Sequence, residues 1–331
     1  MYYKVAMGIF SALFIIACQQ EKSTTYQDLK GDVFGTYYHF QIDSEKDYTK
    51  QIDSVFQQVN IAANTYVAES QISILNKTGI YNNPSATFLD MLHKAKHYYT
   101  ETNGYFNPAI YPLISTWKSK FENRSEIDTL KVNKLLGLTA FDSILTVETT
   151  KITFLKPNAA IDLSAMGEGY TLDALASILD KSGVKNYMLE IGGEMQCRGL
   201  NQKGKTWLIG IEAPNFDPLV KERSVISTVR LKNTGLSTSG SYRKFYYDSL
   251  GKKHAHIVNP KTGFPVEHHL LSVSIKAKSS AIADTYATAC MAMGEEKSKK
   301  FIENDPEIEG YLIVANAADS TETWHSEKFF D

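Results

Sequence analysis

Apolar and polar residues alternate at positions 33–42, a pattern typical of a β-strand that ends at the Asp43-Ser44 pair. Further strands are predicted at positions 187–191, 207–213, 225–231, 244–247 and 271–277. Apolar residues recur at helical spacing at four places, where we predict helices: positions 48–64, 88–101, 171–182 and 281–293. Because helices and paired strands follow each other without a regular β–α alternation, the pattern predicts an α+β fold with largely antiparallel sheets and packed helices.

The N-terminus carries the pattern of a targeting signal. Lys4 precedes an apolar run at positions 5–17 that ends at Cys18. The run is shorter than the roughly 20 residues that a membrane span needs, but it suits a bacterial secretory signal whose cysteine becomes a lipid-attachment point. We therefore predict a lipoprotein signal peptide at 1–18, a flexible tether at 19–30 and one domain at 31–331.

Lipidation of Cys18 would anchor the protein to a membrane of the bacterial cell envelope, where it would face the periplasm. A plain cleaved signal with an incidental cysteine is the alternative. The two other cysteines, Cys197 and Cys290, have apolar neighbours, so we expect buried free thiols without a catalytic role.

The amino-acid composition bears on the class of protein and on the partners that it could bind. The chain is 43% hydrophobic and 22% charged, as in an ordinary globular protein. It has 35 Lys and Arg against 37 Asp and Glu, and no basic stripe, so a nucleic-acid partner is disfavoured.

Two polar stretches could bind an anion. Residues 160–170 lead through Gly167 and Gly169 into a helix, whose free N–H groups could face an anion. A tight strand-to-helix turn with a capping acid is the alternative. Residues 236–243 combine hydroxyls, a glycine and Arg243, which could bind phosphate oxygens. Here the alternative is a polar turn between two strands.

Two further stretches could bind a metal or a ligand. An alternating strand would put His254 and His256 on one face, as a transition-metal pair or as histidines that bind a ligand or hold a turn. Asp284 and Thr288 are four residues apart and share one helical face. A carboxylate and a hydroxyl are hard-oxygen ligands suited to magnesium. A capping aspartate with a core threonine is the alternative.

In chain order, these stretches resemble the family of FAD:protein FMN transferases, the ApbE-type flavin transferases. The resemblance extends from Phe34 to Gly294. It is carried by the following segments: Phe34-Gly35-Thr36, Thr65-Tyr66, Glu69-Ser70-Gln71-Ile72-Ser73, Gly104-Tyr105-Phe106-Asn107-Pro108, Pro112-Leu113 with Trp117, Ile161-Asp162-Leu163-Ser164, Gly169-Tyr170 with Asp173, Ile191-Gly192-Gly193, Thr238-Ser239-Gly240 with Tyr242-Arg243, His256-Ile257-Val258-Asn259-Pro260, Thr262-Gly263 with Pro265, and Ala283-Asp284 with Thr288.

The resemblance implies a two-lobed α+β fold with FAD bound in a cleft between the lobes. It implies a magnesium ion between the backbone oxygen of Ala165 and the side chains of Asp284 and Thr288. It also implies a set of residues that line the FAD site: Phe34, Glu69, Ser70, Gln71, Asn107, Glu168 and Val258. Arg243 and His256 fall in family motifs and are expected near the ligand.

Some positions depart from the commonest family pattern. Phe34 stands where methionine is usual, and Glu168 where lysine is frequent. Asn107 and Asn259 stand where aspartates are usual, and Ala287 where some members add a carboxylate. Fewer acids near the metal would weaken magnesium binding or change the ligand preference.

The expected reaction is magnesium-dependent cleavage of the FAD pyrophosphate, with FMN transferred to a Thr or Ser of an exported acceptor protein and AMP released. Asp284 is the expected catalytic metal ligand. His256, or a carboxylate in the cleft, would be the general base. The alternatives are an FAD pyrophosphatase that yields FMN and AMP, a non-catalytic flavin-binding lipoprotein, and a surface binding protein with no flavin role.

Overall fold

The computed structural model describes residues 26–122, 128–214, 224–241, 245–247, 253–316 and 320–331. The predicted signal peptide with Cys18 lies outside these ranges, and so does Arg243. Within the described ranges, no helix has the length and apolar character needed to cross a bilayer.

The strands are β1 (Tyr26–Val33), β2 (Thr36–Asp43), β3 (Ile80–Asn82), β4 (Leu145–Val147), β5 (Lys151–Phe154), β6 (Tyr187–Ile191), β7 (Glu194–Arg198), β8 (Trp207–Glu212), β9 (Val225–Leu231), β10 (Thr234–Gly240), β11 (Phe245–Tyr247), β12 (Lys253–Ala255), β13 (Leu270–Ala277), β14 (Ile308–Ala315) and β15 (Thr321–His325). The helices are α1 (Thr49–Ala63), α2 (Gln71–Thr78), α3 (Ala86–Glu101), α4 (Tyr111–Glu122), α5 (Thr129–Leu136), α6 (Phe141–Ile144), α7 (Gly167–Lys181), α8 (Ser280–Met293) and α9 (Glu295–Asn304), with 3₁₀ turns at Pro108–Ile110 and Ser164–Met166.

An eight-stranded sheet organises the chain, in the order β1-β2-β6-β7-β10-β13-β14-β15. Every neighbouring pair in it is antiparallel. Helices α1, α7 and α8 pack on one face of this sheet, where α8 lies against β10 and β13. The predicted α+β class with antiparallel sheets and packed helices is therefore confirmed.

Side-chain alternation divides the core between the two faces of the sheet. Along β6, Leu189 and Ile191 join the main core under the helices, while Met188 points to the opposite face. That opposite face is covered by the β8–β9 hairpin and by the C-terminal residues, including the fully buried Phe329. Cys197 and Cys290 are both buried and free, which confirms that part of the prediction for the two thiols.

A third, smaller core lies apart from the main one. It consists of Leu113, Trp117, Val132 and Val258, which come from α4, α5 and the loop after β12. The indole N–H of Trp117 donates to the carbonyl of Gly263 at 2.7 Å, so α4 is tied to that loop. A cavity lies between this smaller core and the sheet with α8.

Several local predictions need correction. Residues 26–30, predicted as tether, form the first part of β1, because they pair with β2 along its full length. The stretch 236–243, predicted to bind phosphate or form a polar turn, includes most of β10, whose hydroxyl residues pair with β13. The strand β7 was missed. It follows β6 through a two-residue turn at Gly192 and Gly193, both with positive φ.

Candidate functional site

The cavity has a volume of about 920 Å³, within the range of ligand-binding pockets. Its aromatic walls include Tyr66, Tyr105 and Trp117, and its polar walls include Asp162 and Ser164. Tyr66 is 88% exposed, so the cavity has an aromatic side chain at its open rim. Flat apolar walls with a few polar groups suit a ligand that contains an aromatic ring.

The three predicted metal-binding residues all line this cavity. Ala165 belongs to the 3₁₀ turn Ser164–Met166, which packs against α8. Asp284 and Thr288 lie one turn apart on α8 and both face the cavity. The hydroxyl of Thr288 lies 3.2 Å from the Ser239 hydroxyl on β10. A carboxylate, a hydroxyl and a backbone oxygen are thus available on neighbouring walls.

A close helix–helix contact sets the position of Asp284. The backbone N–H of Gly169, in the first turn of α7, donates to Asp284 Oδ2 at 3.1 Å. A Cβ on Gly169 would lie 2.5 Å from the carbonyl oxygen of Ser280, so only glycine allows this approach. The expected Gly-x-Gly turn is therefore the start of α7 itself, four residues earlier than predicted.

A second carboxylate of α7 holds the beginning of α8. Asp173 accepts hydrogen bonds from the backbone N–H groups of Ser280 and Ala281 and from the Ser279 hydroxyl. These are the N–H groups that a helix leaves unsatisfied at its N-terminus. Asp173 therefore fixes the end of the helix that carries Asp284 and Thr288.

The electrostatics of this wall favour a cation. Asp284 is buried, and its pKa is raised well above the usual range by burial and then by the nearby Glu194 and Glu168. Burial, followed by Glu168, raises the pKa of Glu194 to about 8. A divalent cation bound at this wall would stabilise the ionised forms of these carboxylates.

Over the described part of the chain, no group of three or more His, Cys, Asp or Glu side chains is arranged to hold a metal. A cation at Asp284 would therefore depend on hydroxyl and backbone oxygens as well, which are the ligand types that magnesium accepts. The donor set of Asp284, Thr288 and Ala165 fits magnesium better than a transition metal.

Four of the other predicted ligand residues line the cavity: Asn107, Glu168, His256 and Val258. The Asn107 side chain is already engaged, because its Oδ1 accepts from Ala109 N at 3.0 Å and its Nδ2 donates to the Thr139 carbonyl at 2.8 Å. These two hydrogen bonds mean that the Asn107 side chain helps to shape the wall of the cavity. The strand β12 ends at Ala255, so His254 and His256 do not share a strand face as predicted.

Arg243 lies outside the described residues, and the other predicted ligand residues, Phe34, Glu69, Ser70 and Gln71, are not among the residues that line the cavity. For Ser70 and Gln71 the structure corrects the prediction. The Ser70 hydroxyl caps α2 by accepting from Ser73 N, and Gln71 Oε1 accepts from Ser85 N. Both side chains are buried and support the helices behind the cavity wall.

Phe34 and Glu69 were predicted to line the ligand site, but they lie outside the cavity wall. Phe34 has a φ of 51° at the turn between β1 and β2, and its ring packs on Phe56. Glu69 is exposed at the surface. The aromatic residue that this part of the chain contributes to the cavity is Tyr66.

Three acids of the cavity were missed from the sequence, Glu190, Glu194 and Glu212. Glu190 accepts a 2.6 Å hydrogen bond from the Tyr37 hydroxyl, and Glu194 follows the Gly192-Gly193 turn. The Gly-Gly pair was the available signal, because a two-residue hairpin turn places the acid after it at a strand end.

Comparisons with known proteins agree with this arrangement. The family model described as "ApbE family" matches residues 34–312. The FAD:protein FMN transferase of Haemophilus influenzae is 33% identical, with 94% of this chain and 93% of the relative covered. The enzyme of the same name from Vibrio cholerae is 31% identical, with 88% of each chain covered.

Solved structures agree as well. The flavin transferase ApbE from Vibrio cholerae is 27% identical, with a TM-score of 0.77 over 92% of this chain and 98% of that one. The apo form of the Pseudomonas stutzeri flavinyl transferase ApbE has a TM-score of 0.80 at 23% identity, covering 92% of this chain and 97% of that one, and it supports the fold alone.

Proposed function

The chain belongs to the ApbE family and is an FAD:protein FMN transferase, and from this premise we propose that it uses magnesium and flavinylates a threonine or serine of an exported protein. The acceptor hydroxyl oxygen attacks the FMN-side phosphorus of FAD. The bond from that phosphorus to the bridging oxygen breaks, FMN remains on the acceptor as a phosphoester, and AMP leaves with the bridging oxygen. The observation that carries this proposal is the cavity that has Ala165, Asp284 and Thr288 on its walls.

The Asp284 carboxylate, the Thr288 hydroxyl and the backbone oxygen of Ala165 would hold the metal. When bound, magnesium neutralises charge on the phosphate oxygens, which is the main electrostatic requirement of phosphoryl transfer. The burial of Asp284 beside Glu194 and Glu168 supports this assignment, because a cation would stabilise the ionised form of the Asp284 carboxyl, which burial and these neighbours disfavour.

The residues of the chain bind and orient the substrate. Tyr66, Tyr105 and Trp117 offer flat walls for the rings of FAD. The proton of the attacking hydroxyl passes either to an imidazole nitrogen of His256 or to a carboxylate oxygen of Glu194, both of which line the cavity.

We place this activity at the cell envelope. The apolar run at 5–17 followed by Cys18 supports a lipid anchor, with the domain that begins at β1 facing the periplasm. An exported acceptor protein would then meet the enzyme in that compartment.

The test incubates the full chain in detergent with FAD, magnesium and an exported flavoprotein stripped of its covalent flavin. We expect the mass increment of FMN on the acceptor and an equal amount of AMP. Asp284→Asn should lower the rate by about 10²- to 10³-fold, as loss of an electrostatic group does in other enzymes. Asp32→Asn is the control, because Asp32 is exposed and does not line the cavity.

The other outcomes separate the alternatives. FMN and AMP formed without any modified acceptor would identify a pyrophosphatase. Tight FAD binding with no product would identify a flavin-binding protein. A wild-type rate in Asp284→Asn would exclude Asp284 as the metal ligand.

A further inference from the structure

A cluster of two lysines and a tyrosine lies at one end of the cavity. The Nζ of Lys297 donates to the Tyr105 hydroxyl at 2.7 Å and lies 5.3 Å from the centroid of the Tyr105 ring. The Nζ of Lys261 lies 5.5 Å from the same centroid. Tyr105 lines the cavity, so this rim cluster (Tyr105, Lys261 and Lys297) puts two positive charges at its edge.

Rigid local structure positions the rim cluster. Gly104, with a φ of 70°, turns the chain after α3, and a Cβ there would lie 3.1 Å from Lys261 Nζ. Asn259 Oδ1 accepts from the backbone N–H of Lys261 at 2.8 Å, which fixes the turn that presents this lysine. Lys297 projects from the first turn of α9.

Within the part of the chain that the structure describes, the charges of these two ammonium groups have no carboxylate counterpart. Among the described residues, neither Lys261 nor Lys297 has a carboxylate partner within ion-pair distance, although other lysines of the chain do. Two like charges that share one ring repel each other, and the ring offsets this only in part. Such a pair is stabilised by an anion.

The interior of the cavity has the opposite charge. Six acids line it: Asp162, Glu168, Glu190, Glu194, Glu212 and Asp284. Wherever these acids are ionised, they repel the charged pyrophosphate of an approaching dinucleotide. Lys118, on α4, is one further cation among the lining residues.

We propose that the rim cluster is an electrostatic capture site for the phosphate groups of the incoming dinucleotide. The inference rests on the proposed function, because it takes FAD as the substrate. Lys261 and Lys297 raise the concentration of the anion at the mouth of the cavity and so speed association, whereas the metal wall holds the pyrophosphate afterwards. They are positioning residues that act before the chemical step.

The experiment measures the association rate of FAD with the magnesium-loaded full chain by stopped-flow flavin fluorescence, over a series of salt concentrations. In K261A/K297A we expect the association rate constant to fall about tenfold at low salt and to approach that of the wild type at high salt, where the charges are screened. The dissociation rate constant should change by less than about twofold, because steering acts on the encounter and not on the bound complex. The charge reversal K261E/K297E should enlarge the loss.

Two controls isolate the effect. K203A/K205A removes the same net charge from an exposed loop that does not line the cavity, and it should leave association unchanged. Riboflavin has the same ring but no phosphate, so its association should not depend on the rim lysines.

Equal FAD association rates in wild type and K261A/K297A at every salt concentration would overturn the capture site. That result would leave the proposed function intact if the wild-type chain still transferred FMN at saturating FAD. Absence of transfer by the wild type would instead reject the proposed function, whatever the association rates.

Discussion

The backbone N–H of Gly169 donates to Asp284 Oδ2 at 3.1 Å, across 115 positions of the chain. This bond joins the beginning of α7 to the cavity-facing side of α8. It exists because residue 169 has no side chain, since a Cβ would meet the Ser280 carbonyl oxygen at 2.5 Å. The carboxylate that we assign to the metal is therefore positioned by a glycine.

Gly169→Ala should lower both stability and activity. The added methyl group forces α7 and α8 apart, which should cost about 1–3 kcal/mol of unfolding free energy and move Asp284 away from Ala165. Denaturant unfolding and the rate of FMN transfer measure the two effects.

Gly167→Ala is the matched control, because it lies in the same helical turn and a Cβ there would meet nothing within 4 Å. Gly167→Ala should leave the free energy of unfolding unchanged or raise it by up to about 1 kcal/mol. Equal losses of stability and activity in Gly169→Ala and Gly167→Ala would contradict the explanation by close approach of α7 and α8.

The free energy of unfolding of the metal-free protein should fall as the pH rises from 4.5, the ordinary pKa of a glutamate, to about 8, the pKa of Glu194 in the folded protein. Burial raises the pKa of this carboxyl from an ordinary 4.5 to about 8, so over that interval the folded state keeps a proton that the unfolded state has lost. Unfolding then releases a proton, and stability should decrease by up to about 1.4 kcal/mol per pH unit.

Denaturant unfolding in EDTA at a series of pH values tests this dependence. Glu194→Gln should flatten the curve, whereas Glu303→Gln, at an exposed site on α9, should follow the wild type. Parallel curves for wild type and Glu194→Gln would exclude Glu194 as the source of the pH dependence. Magnesium should reduce the slope in the wild type, since a cation favours the ionised carboxylates.

Lys276→Met should release the C-terminal segment from the sheet. The Nζ of this mostly buried lysine donates to the carbonyls of Lys328, Phe329 and Asp331 at 2.9, 2.7 and 3.2 Å. Loss of these bonds should cost about 2–4 kcal/mol and make the C-terminus sensitive to carboxypeptidase.

Lys278→Met provides the comparison, because Lys278 lies just beyond the same strand and makes an exposed ion pair with Glu307. Lys278→Met should lower the free energy of unfolding by less than about 1 kcal/mol. Equal protease resistance of wild type and Lys276→Met would show that the lysine does not hold the segment.

Asn107→Asp, which installs the residue usual in the family, should destabilise this chain. The buried Nδ2 of Asn107 donates to the Thr139 carbonyl at 2.8 Å, and a carboxylate oxygen in its place would face that carbonyl without a proton. We expect a loss of about 1–3 kcal/mol in thermal or denaturant unfolding. Asn133→Asp adds the same charge at an exposed site on α5 and should have little effect, so equal losses in both variants would point to net charge.

Local patterns were sufficient for the four longest helices, α1, α3, α7 and α8, and for several strands, whereas strands such as β1, β7 and β14 were not predicted. The alternation at 225–231 predicts β9 to the residue, and the apolar run at 281–293 predicts α8 within one position. The ordered motifs, from Phe34 to Thr288, were also sufficient to identify the family. Periodicity and motif spacing are properties of contiguous residues, so they can be read without a fold.

Only the tertiary structure decided which of the predicted residues meet. Ser70 and Gln71 stand in a family motif, yet their polar groups cap and brace helices, because the packing of α2 turns both side chains inward. Glu194 lines the cavity, and Lys261 and Lys297 meet beside the cavity-lining Tyr105, although no local pattern marks these residues as partners. Distances between residues far apart in the chain depend on how helices and sheet pack, and the absent side chain at Gly169 allows the close contact between α7 and α8.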